Sequence, residues 1–429
     1  MRALIVIVTV LWASCAARGQ YTVSLPAPPA DRPITVHTTD LYYAPWDWDD
    51  LCDASLWYAL RHHADLQAFV MDEPFGGWDG SLASRGDGRT WQGIYNIATG
   101  ANIPYYTGLR YGLSSPSDDG DGEAALHRSG RDAILQVMAD SPDHSVTLHG
   151  VGSLRDIAAA YNKDPTLFAQ KVRRIYSSGG REGDFRDANW GSDPQAVIGL
   201  LNSGLPMYVA FCGEGSQHDG SAFHIDLGDH LDQMDAVNPR MSQVHFWGWY
   251  CCMDGGYRMQ HGIAFPNRPP LPENIKPPYQ FQGNNTMADP QAFFDEPIPA
   301  DKLADMRTRS RVLWSAACFL DSVGLRVFRN GTDVKLSYNE TEAGYERVWL
   351  FRPAEFTLDA GTYNFSYTPT SEANAEIHMF HWETATKGEY DDIMEAVYLE
   401  LTETYLPEPG SLLLLGAAAP LALRRRRKQ

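Results

Sequence analysis

Apolar positions recur along this chain in two alternating rhythms. Ile34 to Thr39 alternates in the manner of a half-buried strand, and an apolar helical run follows from Ala54 to Leu60. Leu66 to Met71 is a further apolar run, ending at Asp72 and Glu73. Ile94 to Thr99 reads as helix, Ile103 to Tyr106 as a short strand, Asp132 to Met138 as helix, and Ser145 to Gly150 as strand. Leu154 to Tyr161 and Pro194 to Asn202 read as helices, with strands at Val172 to Tyr176 and Met207 to Phe211. Strands alternating with helices at this spacing predict βαβ units and an α/β fold: a mostly parallel open sheet flanked by helices. Residues 324–368 carry short alternating stretches instead, which predict a more β-rich, antiparallel segment near the C-terminus. Glu389 to Tyr405 predicts a final amphipathic helix. Residues 76–90 and 114–123 read as polar loops, and 266–300 is Pro-rich and irregular.

The two ends break this rhythm. Residues 1–17 place Arg2, an apolar run and small residues in the order of a secretory signal peptide, and 18–33 read as a Pro-rich linker. The domain then spans 34–405. Residues 406–429 place Pro407, Glu408 and Pro409 before an apolar run and the basic cluster Arg424, Arg425, Arg426 and Arg427. The order resembles the PEP-CTERM sorting signal of bacterial exported proteins. That resemblance implies export machinery and an exosortase as partners, with transient membrane insertion of the tail. The expected location is the cell surface, outer envelope or extracellular matrix.

The formal net charge is −19. With no basic run in the globular part, this argues against nucleic acid or an anionic membrane as its partner. Cys52, Cys212, Cys251, Cys252 and Cys318 are irregularly spaced, which describes neither a disulfide framework nor a zinc motif.

The chemistry concentrates after the first strand. Asp40, Asp47, Asp49, Asp50 and Asp53 fall together in DLYYAPWDWDDLCD. Open α/β sheets bind ligands at the carboxyl ends of their strands. Carboxylates this close require a cation or raised pKa values. Oxygen ligands of this kind favour Ca²⁺ or Mg²⁺.

Three colinear segments carry a wider resemblance: GIYNIATGANIPYYTG (93–108), VTLHGVGSLRDIAAAYNKDPTLFAQKVRRIYSSGG (146–180) and DANWGSDPQAVIGLLNSGLPMYV (187–209). Their order, with the acidic loop upstream, is similar to the inosine-uridine nucleoside hydrolase family. The resemblance implies a calcium-dependent hydrolase of N-glycosidic bonds in ribonucleosides or related ribosyl compounds. It implies Asp40 as catalytic base and metal ligand, Asp49 and Asp50 as the ligating pair, and the Val151 carbonyl as a further ligand. Asp49, Asp187 and Asn189 would hold the small ribosyl or glycosyl substrate.

Two departures keep alternatives open. Eight residues, Leu41 to Trp48, separate Asp40 from the pair where the family has three, so Asp53 competes for one place in it. The family's later His-Asp should fall near Trp314 to Cys318, where neither residue occurs; His224-Ile225-Asp226 and Asp229-His230 are the nearby alternatives. The competing reading is therefore a catalytically impaired sugar- or polymer-binding protein on the same fold.

Overall fold

The structure is a computed structural model that describes residues 21–40, 48–72, 88–187, 189–212, 220–253, 294, 298, 300–372 and 375–407. The signal-peptide and sorting-tail expectations, Asp47 and most of the 76–90 and 266–300 segments lie outside these residues.

In chain order the strands are β1 (Thr22–Ser24), β2 (Ile34–Thr39), β3 (Asp65–Met71), β4 (Tyr105–Thr107), β5 (Val146–Val151), β6 (Val172–Ser178), β7 (Gly183–Asp184) and β8 (Met207–Ala210). They continue as β9 (Phe223–Asp226), β10 (Ser310–Leu313), β11 (Arg326–Asn330), β12 (Asp333–Ser337), β13 (Glu346–Arg347), β14 (Trp349–Asp359), β15 (Asn364–Pro369) and β16 (Ile377–Trp382). Ten of them form one sheet in the order β4-β3-β2-β5-β6-β8-β16-β14-β15-β7. From β4 to β16 every pairing is parallel; β14, β15 and β7 extend the sheet antiparallel. The protein is thus a mixed α/β fold with a large, mostly parallel sheet flanked by helices. The two edge strands are short, three residues at β4 and two at β7.

Alternation along the strands feeds two cores. Phe69, Met71, Tyr176 and Ala210 pack on one face with the helices Trp48–Leu60, Leu227–Val237, Pro239–Met253 and Lys387–Tyr405. Val36, Ala68, Val70, Leu148 and Ile175 pack on the other with the helices Ser129–Asp140, Arg155–Lys163 and Pro194–Leu201. β5 is buried at all six positions because helices cover both of its faces.

Several boundaries differ from expectation for identifiable reasons. The first helix starts at Trp48, not Ala54, so Asp49 and Asp50 occupy its first turn. Acidic residues are favoured there by the helix dipole, although they interrupt the apolar pattern. Thr22–Ser24, within the stretch expected as linker, pairs in parallel with β12. β11 to β13 belong with β1 in a separate four-stranded sheet, while β14 and β15 join the main sheet. The 227–237 and 239–253 helices and the β9–β10 pair have no counterpart among the expected elements.

Candidate functional site

Strand order fixes where a ligand site can form. β2, β3 and β4 run to one side of the sheet and β5, β6 and β8 to the other, so the direction of the winding reverses between β2 and β5. A crevice opens at the carboxyl ends of strands at such a switch point. Thr39 is in register with both Met71 and Val151, so Asp40, Asp72 and Gly152 follow side by side on three neighbouring strands. Backbone bonds lock this edge: Asp40 N–H donates to the Val151 carbonyl at 3.1 Å, and Asp72 N–H to the Thr39 carbonyl at 2.7 Å. Gly152 sits between the two acids with φ near +155°. A Cβ there would lie 3.1 Å from the Asp40 nitrogen and 3.3 Å from Asp72 Oδ2.

The first turn of the 48–60 helix closes over this edge. The Thr39 hydroxyl donates to Asp50 Oδ2 at 2.8 Å, and Asp50 shares a hydrogen bond with Asp40. Asp40 is buried, and its Oδ1 has no hydrogen-bond partner. Burial pushes its carboxyl up to about 7, the bond with Asp50 acts against that rise, and the charges of Asp72 and Asp49 add to it. Asp53 is also buried, and desolvation raises its pKa well above the usual carboxylate range.

Asp49, whose charge reaches Asp40, is paired with a cation. Its Oδ1 is taken by the guanidinium of Arg311, delivered from β10. The segment expected to supply a late His-Asp thus brings a cation to the acidic group. Neither alternative for that pair reaches Asp40. His224 lies against Asp391, Asp226 caps the 227–237 helix through the amides of Gly228 and Asp229, and His230 is buried beside His245. These positions read as candidates in sequence because they combine the right residue types. The fold commits each to other partners.

Asp187 and Asn189 follow the end of β6, two strands from β2. Asp187 accepts the backbone N–H groups of Gly180 at 2.8 Å and Trp190 at 2.7 Å, and burial lifts its pKa to about 6. Asn189 donates to the Ser178 carbonyl at 2.8 Å. Both side chains brace the loop at the same carboxyl edge of the sheet.

Arg155 was not singled out by the sequence. It is fully buried, with Nε on Asp193 Oδ2 at 3.0 Å and Nη1 3.6 Å from Asp72 Oδ1. Nη1 also donates to the carbonyls of Leu109 and Arg110, and Nη2 to Ser192. Asp72 Oδ2 accepts Ser153 N–H at 2.9 Å, while Asp72 Oδ1, like Asp40 Oδ1, lacks a hydrogen-bond partner. The unpaired Asp40 Oδ1, with Asp50 and the Val151 carbonyl at the same strand edge, suits a hard divalent cation of the Ca²⁺ class, while Asp72 is held by Arg155 through Oδ1 and by Ser153 through Oδ2. The Gly152 cradle keeps side-chain bulk out of the space between the two acids.

No family model and no curated protein matches the chain. Solved structures do. The effector protein XOO4466 matches at 15% identity and TM-score 0.50, covering 89% of this chain and 95% of its own. The type III effector XopQ, solved with adenosine diphosphate ribose, matches at 14% identity and TM-score 0.48 over 88% and 94%. The purine-preferring ribonucleoside hydrolase of Gardnerella vaginalis matches at 12% identity and TM-score 0.43 over 86% and 99%. These neighbours are nucleoside-hydrolase-like folds at low identity, so the likeness is one of fold, and the match at 0.50 carries it.

Proposed function

We propose that the chain hydrolyses the N-glycosidic bond of a ribonucleoside or related ribosyl compound, with Asp40 as general base. One observation carries this reading: Asp40 stands at the switch point of the sheet, buried, with one oxygen unpaired and its carboxyl raised to about 7. That rise belongs to the chain without a cation, and Ca²⁺ beside Asp40 would hold the carboxyl ionised and ready to accept a proton. Asp40, Asp50 and the Val151 carbonyl would hold Ca²⁺. When bound, that ion supplies positive charge that lowers the pKa of a coordinated water and orients vicinal hydroxyls. Asp40 receives the proton of the attacking water, Asp50 fixes Asp40 through their shared hydrogen bond, and the walls of the crevice exclude bulk solvent. Asp187 and Asn189 set the loop that borders the sugar.

The test is ribose release from inosine, uridine and p-nitrophenyl riboside, with and without chelator. Release that stops on chelation and in Asp40→Asn is the expected result. Release unaffected by both overturns the proposal.

A second reading has its own observation. Arg311 neutralises Asp49 from within the chain, and no carboxylate arrives from residues 314–318. This favours a ribosyl- or sugar-binding protein without turnover, recognised by ligand-induced stabilisation in the absence of product. The ends of the chain add location to either reading. We infer export directed by residues 1–17 and exosortase sorting through Pro407 to Pro409 and Arg424 to Arg427. A size shift on deleting 406–429 in the exporting cell tests this.

A further inference from the structure

The 48–60 helix also carries Cys52, which lies in the apolar cluster together with His230 and His245 from the next two helices of that layer. All three side chains have no more than a trace of solvent exposure. One ligand atom from each lies within 4.8 Å of the other two, and among the described residues this is the one group of three His, Cys or acidic side chains that meets this spacing.

Both ring nitrogens of His245 are in short polar contacts. The Ser55 hydroxyl donates to the Leu51 carbonyl at 3.0 Å, which leaves its oxygen lone pairs to accept. His245 Nε2 contacts that same oxygen, which also lies 3.2 Å from the Tyr95 hydroxyl, and Tyr95 in turn donates to the Leu51 carbonyl. His245 Nδ1 and His230 Nε2 are in hydrogen-bond contact, so two ring nitrogens already converge at the centre of the group. His245 offers the arrangement of a metal-ligating imidazole, one ring nitrogen against an oxygen and the other turned toward the group.

We propose that Cys52, His230 and His245 form a buried binding site for a transition-metal ion of the Zn²⁺ class, tying the 48–60 helix to the 227–237 and 239–253 helices. Nitrogen and thiolate donors select a borderline-soft ion over Ca²⁺, so this site differs in chemistry from the carboxylate group at the sheet edge. Metal–ligand bonds of about 2.0–2.3 Å set tetrahedral ligands about 3.3–3.8 Å apart, and the group, whose ligand atoms lie within 4.8 Å of one another, would adjust to that spacing around the ion. The group is fully buried between three helices, so the ion would tie them together, with a water completing four-coordination. Binding couples to folding, because Cys52 and the two histidines come from distant parts of the chain. Irregular sequence spacing hides the group for the same reason.

The experiment uses the full chain, purified without chelator. Elemental analysis should find about one equivalent of zinc that survives dialysis against excess Ca²⁺. Replacement by Co²⁺ should give thiolate-to-cobalt charge-transfer absorption in the near ultraviolet and intense visible bands of tetrahedral type. Cys318→Ala should keep the charge-transfer band, Cys52→Ala should lose it, and His245→Gln should keep it while changing the visible bands. Absence of both retained zinc and charge-transfer absorption in the wild-type chain overturns the proposal, whether or not the variants fold. Persistence of the charge-transfer band in folded Cys52→Ala also overturns it.

Discussion

Two acidic regions meet at the carboxyl edge of the sheet, and they are built differently. Around Arg155 the carboxylates are heavily tied down: Asp193 accepts the guanidinium and the amides of Leu113 and Ala196, and Asp156 accepts Leu109 N–H with both oxygens. Around Asp40 the bonding is sparse, with one unpaired oxygen, a shared hydrogen bond to Asp50, and Asp49 drawn away by Arg311. Asp72 borders both, with one oxygen bonded and the other not. Saturated carboxylates hold a fold together, whereas an unsaturated one stores the capacity to bind or accept a proton.

The sharpest way to break this contrast is Arg155→Ala. It strands Asp72 and Asp193 in the interior, and removing one partner of a buried pair costs about 3–5 kcal/mol. Chemical denaturation should show that loss, and a loss below about 1 kcal/mol would mean the Arg155 region is not a structural support. Asp40→Asn should act the opposite way. Ribosyl hydrolysis should fall by about 10²-fold or more, the contribution expected of a general base. Stability at pH 8 should hold or rise, because a charge disfavoured by burial has gone. Equal damage to stability and rate would erase the distinction between the two regions.

The pH dependence sharpens it further. With its folded pKa raised to about 7, Asp40 favours the fold in its protonated form. Its contribution to stability is present at acid pH and is lost as pH climbs from the ordinary carboxylate range to about 7. Calcium beside Asp40 would draw that pKa down, so calcium binding below about pH 7 should release a proton, measurable by calorimetry in buffers of different ionisation enthalpy, and the calcium-loaded chain should keep its activity below that pH. A rate that falls from pH 6 to 8 would exclude Asp40 as base. Gly152→Ala should cost about 1–3 kcal/mol through strain at its positive φ and crowding of Asp40, read by thermal melting. The smallest effect belongs to Arg311→Gln. Loss of a partly exposed pair should cost about 1 kcal/mol or less, yet freeing Asp49 should raise calcium affinity. Unchanged affinity would favour the reading without turnover.

What the sequence made legible follows from range. β2, β5 and β6 announce themselves because helices cover both faces of the central strands and their apolar content is local. Asp40 was legible for the same reason, as the first acid after an apolar strand. Arg155 was not, because an arginine in the first turn of LRDIAAAYN reads as solvated until Asp72 and Asp193 are folded against it. Arg311 was hidden likewise, since only the β9–β10 pairing aims it at Asp49. The family pattern places a late carboxylate near residue 314, where this chain has none. The segment's actual contribution to the site is a cation, which a search for acids passes over.

The brevity of β4 and β7 bears on the protein's life outside the folded state. A large parallel sheet assembles slowly and offers unpaired backbone to neighbouring chains while it does so. With only three residues at one margin and two at the other, little ribbon remains on which another molecule could add a strand. The finished sheet therefore resists intermolecular strand exchange at its rims.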